Sequence, residues 1–248
     1  MYSVSNIERE NDYPKISIVT PIYERNKFKR LIISNLLKLD YPLDKLEYIV
    51  DDDGEEEKFI SSDEEMKEFK EAIYPIHFIY KHYNKKRTIG EKRNNLVKLS
   101  NNKLIANLDS DDIMLSDWLK HSLEIMRKGK YGLVGTNQML FLFPHNDWKV
   151  TAIQCDTKRQ IHEAGMLYTK KHHKCMGGFT KSSQGEGTSM IDGMNEKTIG
   201  LTRADNCILC LCWNGNTINK DRFQQYKDLG YGSQLSNYDK NIIMDAIN

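Results

Sequence analysis

Apolar residues recur along the first 135 positions with two alternating periods. Short runs rich in β-branched residues have the length and composition of buried strands: KISIVTPIY (Lys15–Tyr23), LEYIVDDDG (Leu46–Gly54), IHFIY (Ile76–Tyr80), KLIANLDSDD (Lys103–Asp112) and YGLVG (Tyr131–Gly135). Between them the spacing becomes helical. Phe28, Leu31, Ile32, Leu36 and Leu39 share one helix face, and a charged helix is predicted over 62–73 with Ser62 as its N-cap. A third helix is predicted over 88–99, and a fourth, capped by Ser116, runs to Met126. This alternation indicates βαβ units and a mostly parallel sheet.

Beyond residue 135 the pattern changes. MLFLFP, DWKVTAIQC and GMLYT read as antiparallel or edge strands, and Gly177-Gly178 and 182–187 mark loops. NCILCLCW reads as a buried strand, and 219–248 as helices packed on the outside. No repeat, low-complexity tract or Pro/Ser-rich linker divides the chain, so one domain is expected over 1–248.

Composition narrows the classes. With 248 residues and 39% hydrophobic content the chain can bury a sizeable core, which excludes a disordered polymer. Its 36 basic and 35 acidic side chains give a net charge of +1, against a nucleic-acid binder held by bulk charge. No run approaches the ~18 apolar residues of a membrane span. The polar start, MYSVSNIERENDYPK, lacks the apolar stretch of a signal peptide. Five cysteines, an odd number, fit reduced thiols and a cytoplasmic location. Cys207, Cys210 and Cys212 fall in the buried strand as small hydrophobes, and with His173 the last histidine, no second Cys/His pair follows to complete a zinc site.

The average charge hides a reversal. Residues 51–71 carry eleven acids against three lysines, and residues 81–103 carry eight bases against one acid. Asp51-Asp52-Asp53-Gly54 ends one predicted strand and Asp109-Ser110-Asp111-Asp112 another. In an open parallel sheet both clusters reach the edge where ligands bind. One reading is solvated strand ends; the other is a site for a divalent cation and a phosphate, since Asp-x-Asp on a turn can aim alternate carboxylates together. The basic stretch Lys85–Asn94 enters a helix through Gly90, and helix N-termini with nearby cations attract phosphate.

Four segments, in order, resemble a family 2 glycosyltransferase, a nucleotide-sugar enzyme of the GT-A fold. SIVTPIYER resembles the family's first strand and Thr-Pro-x-Tyr turn; YIVDDDGE its Val-Asp-Asp-Gly-Ser block, with Glu55 in place of serine; IGEKRN its Gly-x-x-Arg-Asn helix start; IANLDSDD its Asp-x-Asp-Asp metal turn. Cys175-Met176-Gly177-Gly178-Phe179 resembles the Gly-Gly-Phe that precedes the acceptor-side acid.

The resemblance implies an α/β GT-A fold: a Rossmann-like nucleotide-sugar-binding half with a mixed central sheet (15–135), a smaller acceptor half (136–218), C-terminal helices (219–248) and an N-terminal tail (1–14). It implies that Thr20, Pro21 and Tyr23 line the base and ribose, that Asp52 accepts from the base, and that Asp53 belongs to the nucleotide-sugar site. Gly90, Arg93 and Asn94 would support the diphosphate, and Asp109 and Ser110 would face the ribose. Asp111, with Asp109, would hold Mn²⁺ or Mg²⁺, with Asp112 behind. Glu186 is the implied base and Asp192 the reserve, because Gly187 stands where a second acid is usual; the late histidine of some relatives is absent, with Asn214 a substitute. The implied reaction is metal-assisted inverting transfer from a nucleotide-diphosphate sugar, leaning to UDP, to a hydroxyl of a glycan, protein or lipid acceptor, with no nucleic-acid partner. The alternative is a degenerate module that binds the nucleotide sugar without turnover. A phosphatase is disfavoured because Thr20-Pro21 stands where its aspartate nucleophile would be, and a nucleotidyltransferase because no glycine-rich loop follows the first strand.

Overall fold

The structure is a computed structural model that describes residues 13–248. The expected tail over 1–14 lies outside it except for its last two residues, which are packed: the Tyr13 ring meets Tyr41 edge-on at 4.9 Å, and the Tyr41 hydroxyl donates to the Pro14 carbonyl.

The first half follows the predicted alternation. In chain order it holds β1 (Ile16–Ile22), α1 (Lys29–Leu37), β2 (Leu46–Asp52), α2 (Asp63–Ala72), β3 (His77–His82), α3 (Ile89–Leu99), β4 (Leu104–Asn107), β5 (Ile113–Met114), α4 (Trp118–Gly129) and β6 (Leu133–Gly135). Then come β7 (Gln138–Phe143), β8 (Lys149–Gln154), β9 (Leu167–Thr169), α5 (Lys170–Cys175), β10 (Gly200–Leu201), β11 (Ile208–Leu211) and α6 (Asn237–Ile247). Local chemistry sets several boundaries. Ser62 caps α2 by accepting from Glu65 N, and Thr88 with Glu91 forms a reciprocal capping box on α3. The expected Ser116 cap is not made: Asp117 stands at the N-cap of α4 without a side-chain cap bond, and the Ser116 hydroxyl bonds Asp117 instead.

Seven strands form the main sheet in the order β10-β6-β9-β4-β1-β2-β3. β1, β2, β3 and β4 run parallel, and β9 is antiparallel to both β4 and β6. GMLYT therefore becomes an interior strand wedged into the βαβ series, and β6 pairs with it rather than with β4. A second sheet, β5-β11-β7-β8, carries α6 and the C-terminal segment. Of the expected outer helices over 219–248 only α6 is an α-helix; 221–225 and 231–234 are short 3₁₀ turns.

Strand alternation divides the core. Ile18, Tyr48, Val50 and Ala106 face one side with Phe69, Phe78 and Trp118, while Val19, Ile49 and Ile105 face the other with Leu96, Val97 and Phe179. Trp118 is fully buried and its indole donates to the Gly165 carbonyl at 3.0 Å, which fastens α4 to the segment leading into β9. Among the described residues no helix is long and apolar enough to cross a membrane.

Candidate active site

Strand order reverses at β1, whose neighbours are β2 and β4. Beyond the carboxyl ends of such strands an open α/β sheet leaves a crevice. A cavity of about 300 Å³ lies there. Its walls come from the end of β1 (Pro21) and the turn after it (Tyr23, Arg25), the approach to and first turns of α3 (Lys86, Arg87, Ile89, Lys92), and the turn after β4 (Asp109, Ser110, Asp111), with Ser183 and Thr217 closing it. β4 stops at Asn107, so Asp109–Asp112 is a turn and not the strand end expected. The Lys86 ammonium lies 3.7 Å from the Tyr23 ring centroid.

The first aspartate cluster is turned inward. Asp51, Asp52 and Asp53 are fully buried. Asp52 accepts from Gly54 N at 2.9 Å, Phe59 N at 2.8 Å and the Tyr80 hydroxyl at 2.7 Å. Asp53 accepts from Lys92 Nζ and Arg87 N, both at 2.6 Å, and Asp51 from Asn95 and the Arg87 guanidinium. Every oxygen of these buried carboxylates accepts from the protein, so the base recognition expected of Asp52 is corrected to a scaffolding role, and Asp53 faces Lys92 and Arg87 instead of the cavity. Thr20 is likewise fully buried and does not line the cavity. Burial lowers the pKa of Lys92 against the opposing pull of Asp53, and raises that of Asp51 against Asn95 and Arg87.

The start of α3 needs the same correction. Ile89 N donates to Ser183 Oγ, Gly90 N to the Ser182 carbonyl at 2.9 Å, and Glu91 N to Thr88 Oγ1. These N–H groups are not available to a phosphate. Gly90 is required by contact instead: a Cβ there would sit 1.8 Å from the Thr180 carbonyl oxygen. Asn94 clamps the Gly-Gly-Phe segment, donating to the Phe179 carbonyl and accepting from Phe179 N and His173. The cationic wall is supplied by Arg25, Lys86, Arg87 and Lys92, most of which the resemblance does not single out.

Arg93 does reach the site, as a bridge. It is 1% exposed; Nε donates to Glu186 Oε1 at 2.9 Å and Nη2 to Asp109 Oδ1 at 2.8 Å. Burial works against its charge, but the two carboxylates outweigh that and raise its pKa. Glu186 is therefore buried and ion-paired, while Asp192 is exposed and, among the described residues, its carboxylate makes no hydrogen bond or ion pair.

Asp111 Oδ2 accepts from the Trp213 indole at 2.9 Å and from Asn216 Nδ2 at 3.3 Å. Asn216, not the expected Asn214, is thus the late residue that meets Asp111. The 213–217 turn is held from the other side by Arg25, which donates to the Gly215 carbonyl at 2.9 Å, and by Lys27, 4.2 Å from the Trp213 ring. Among the described residues no cluster of three or more His, Cys, Asp or Glu side chains forms a metal cage. Two carboxylates at a cleft are nonetheless the donor set that Mg²⁺ or Mn²⁺ uses when phosphates complete its shell, and among the described residues one oxygen each of Asp109 and Asp111 has no donor. Asp112 lies behind, accepting from Leu211 N; burial pushes its carboxyl up to about 8, opposed by Lys220.

Three thiols lie in and beside β11. Cys207, Cys210 and Cys212 are buried, burial raises all three, and Cys212 is pushed up to about 12, so they stay protonated. His162 faces Cys210 at 3.8 Å, and its buried Nδ1 has no partner among the described residues. Burial, opposed by Asp109 but aided by Lys220 and Arg93, lowers it to about 4. A folded-state value below the usual 6.5 means that the unfolded chain binds the proton first. Stability from this group is therefore complete above about pH 6.5 and falls by on the order of 3 kcal/mol as pH drops to about 4. His162→Gln is expected to flatten the urea-unfolding stability profile between pH 7 and 4.5; an equally steep profile in the variant would show the imidazole to be uninvolved.

A family model described as glycosyl transferase family 2 matches residues 17–184, more than half of the chain. Among solved structures, TarS residues 1–349 from S. aureus, in complex with UDP-GlcNAc, is similar at 18% identity with a TM-score of 0.62, over 82% of this chain and 60% of that one. The mannosyltransferase PcManGT from Pyrobaculum calidifontis, in complex with GDP-Man and Mn2+, is similar at 16% identity with a TM-score of 0.61, over 86% of this chain and 60% of that one. The chain thus spans about three fifths of the length of these structures. No curated protein matches it.

Proposed function

The chain belongs to glycosyl transferase family 2 with a GT-A fold, and we propose that it moves a sugar from a nucleotide-diphosphate donor to an acceptor hydroxyl of a glycan, protein or lipid with inversion at the anomeric carbon. The observation that carries this reading is the convergence, on one 300 Å³ cavity at the strand-order reversal, of Asp109 and Asp111 with Lys86, Arg87 and Lys92 and the Tyr23 ring. A diphosphate needs the cations, a bridging metal needs the carboxylates, and a base needs an apolar face.

In this reading residues 15–135 hold the donor and 136–218 the acceptor. Pro21 and Tyr23 flank the base and ribose, Ser110 faces the ribose, and Lys86 with the exposed part of Arg87 meets the diphosphate, while Lys92 stays paired with Asp53. Asp111 and Asp109 would hold Mn²⁺ or Mg²⁺, which when bound stabilises charge on the departing nucleoside diphosphate. Arg93 fixes Asp109 at the cleft through their 2.8 Å ion pair. Since Asp52 is fully buried and already accepts three hydrogen bonds, preference among bases falls to the groups around Tyr23, and a uridine donor rests on the resemblance alone.

A panel of nucleotide sugars with Mn²⁺, including UDP-GlcNAc and GDP-mannose, tests the function. One donor is expected to raise Tm by several degrees and to be hydrolysed slowly to nucleoside diphosphate. Stabilisation without turnover of any donor would favour the non-catalytic module; the absence of both stabilisation and turnover across the panel would overturn the reading.

A further inference from the structure

Glu186 is poorly placed to receive a proton. Its side chain is 6% exposed and one oxygen is engaged by Arg93, so an acceptor hydroxyl would compete with a buried guanidinium. The next residue, Gly187, offers no side chain, but the space beside it is filled. A Cβ at position 187 would lie 2.4 Å from Cγ of Glu163, and Gly187 N donates to Glu163 Oε1 at 3.2 Å. Glu163 comes from the segment leading into β9, far away in sequence, and is only partly buried. It is pinned to the end of β4 on one side and to Gly187 on the other. Its carbonyl accepts from Asn107 Nδ2 at 2.9 Å, and Gly165 N donates to the Asn107 carbonyl at 3.0 Å, two residues before Asp109. Its second oxygen has no partner among the described residues.

Resting on the glycosyltransferase reading above, we propose that Glu163 is the catalytic base and that Glu186 is a positioning residue that holds Arg93. In the transfer step the acceptor O–H bond breaks and its proton passes to the free oxygen of Glu163. The acceptor oxygen bonds to the anomeric carbon, and the bond from that carbon to the β-phosphate oxygen breaks, its electron pair leaving with the nucleoside diphosphate. Water takes the acceptor's place in donor hydrolysis, so the same residue governs that slower reaction.

The test uses the full chain, Mn²⁺ and the donor found by the panel, with water or sodium azide as acceptor. Glu163→Gln is expected to lower the hydrolytic kcat by about 10²–10⁴-fold, the usual worth of a general base. The donor KM and the Tm gain with nucleoside diphosphate are expected to match wild type. Azide carries no proton to remove, so it is expected to restore nucleotide release in Glu163→Gln, with a glycosyl azide as product, but not in Glu186→Gln. If wild type turns over donor and Glu163→Gln hydrolyses it within a few-fold of that rate, this proposal fails and the function stands. Loss of nucleotide binding in Glu163→Gln, or a loss of rate that azide does not restore, also overturns it, by showing a structural role. If wild type turns over no donor at all, the function fails and this assignment with it.

Discussion

Asp111→Ala is expected to lower metal-dependent donor turnover by about three powers of ten while Tm stays within a few degrees of wild type. The rate effect follows from what a bound divalent ion contributes. Stabilising charge on the departing diphosphate is worth several kcal/mol, and each ~1.4 kcal/mol is a factor of ten. The small stability effect follows from position. Asp111 lines the cleft, and the groups it would abandon, the Trp213 indole and Asn216 amide, belong to a partly exposed turn where water can replace it. A lost hydrogen bond there costs about 1 kcal/mol. Asp111→Asn keeps an oxygen for Trp213 and separates the two effects, since it should restore the turn and not the rate. Nucleoside diphosphate release with Mn²⁺ is the measurement; a full rate in either variant would remove Asp111 from the metal site.

Arg93→Met is expected to be the most destabilising single change at the site, by about 3–5 kcal/mol. Breaking a buried ion pair from one side leaves the other charge in low dielectric without compensation. Glu186 is that charge: its side chain is 6% exposed, against 31% for Asp109, which can turn to water. For a chain of this size the loss corresponds to a fall in Tm of about 10 °C. Arg93→Met with Glu186→Gln is expected to recover most of it, because removing both partners leaves no buried charge. A single variant as stable as wild type, or a double variant no better than the single one, would contradict the bridge. Activity stays low in both, since Asp109 loses its anchor.

The comparison of pattern with structure is most instructive where one motif holds two kinds of aspartate. Asp51–Asp53 and Asp109–Asp111 look alike as acidic strand ends. The first set is consumed by Lys92, Arg87, Asn95, Tyr80 and backbone N–H groups, whereas the second keeps oxygens toward the cavity. Nothing local separates them, because the partners of the first set lie up to 44 residues away. Gly90 and Asn94 show the same limit. The helix over 88–99 was legible from its spacing, yet whether its N–H groups meet a phosphate or the Ser182–Ser183 loop depends on a segment about ninety residues on. The one earlier sign of the Glu163 arrangement is the glycine at 187, which marks a missing side chain without showing what fills its space.

By itself, the sequence determined the alternation of β1–β4 with their helices, the cap at Ser62, the two aspartate clusters, the basic stretch between them and the family. These are readable because period, capping and turn chemistry act over a few residues. Only the tertiary structure decided that β9 enters the main sheet antiparallel, that Arg93 bridges Asp109 and Glu186, that Asn216 meets Asp111, and that Glu163 lies beside Gly187. The physical reason is common to all four. A buried polar group must find a partner, and which partner it finds depends on segments that only folding brings together. The lone pairs left over at the cleft are what the chemistry has to work with.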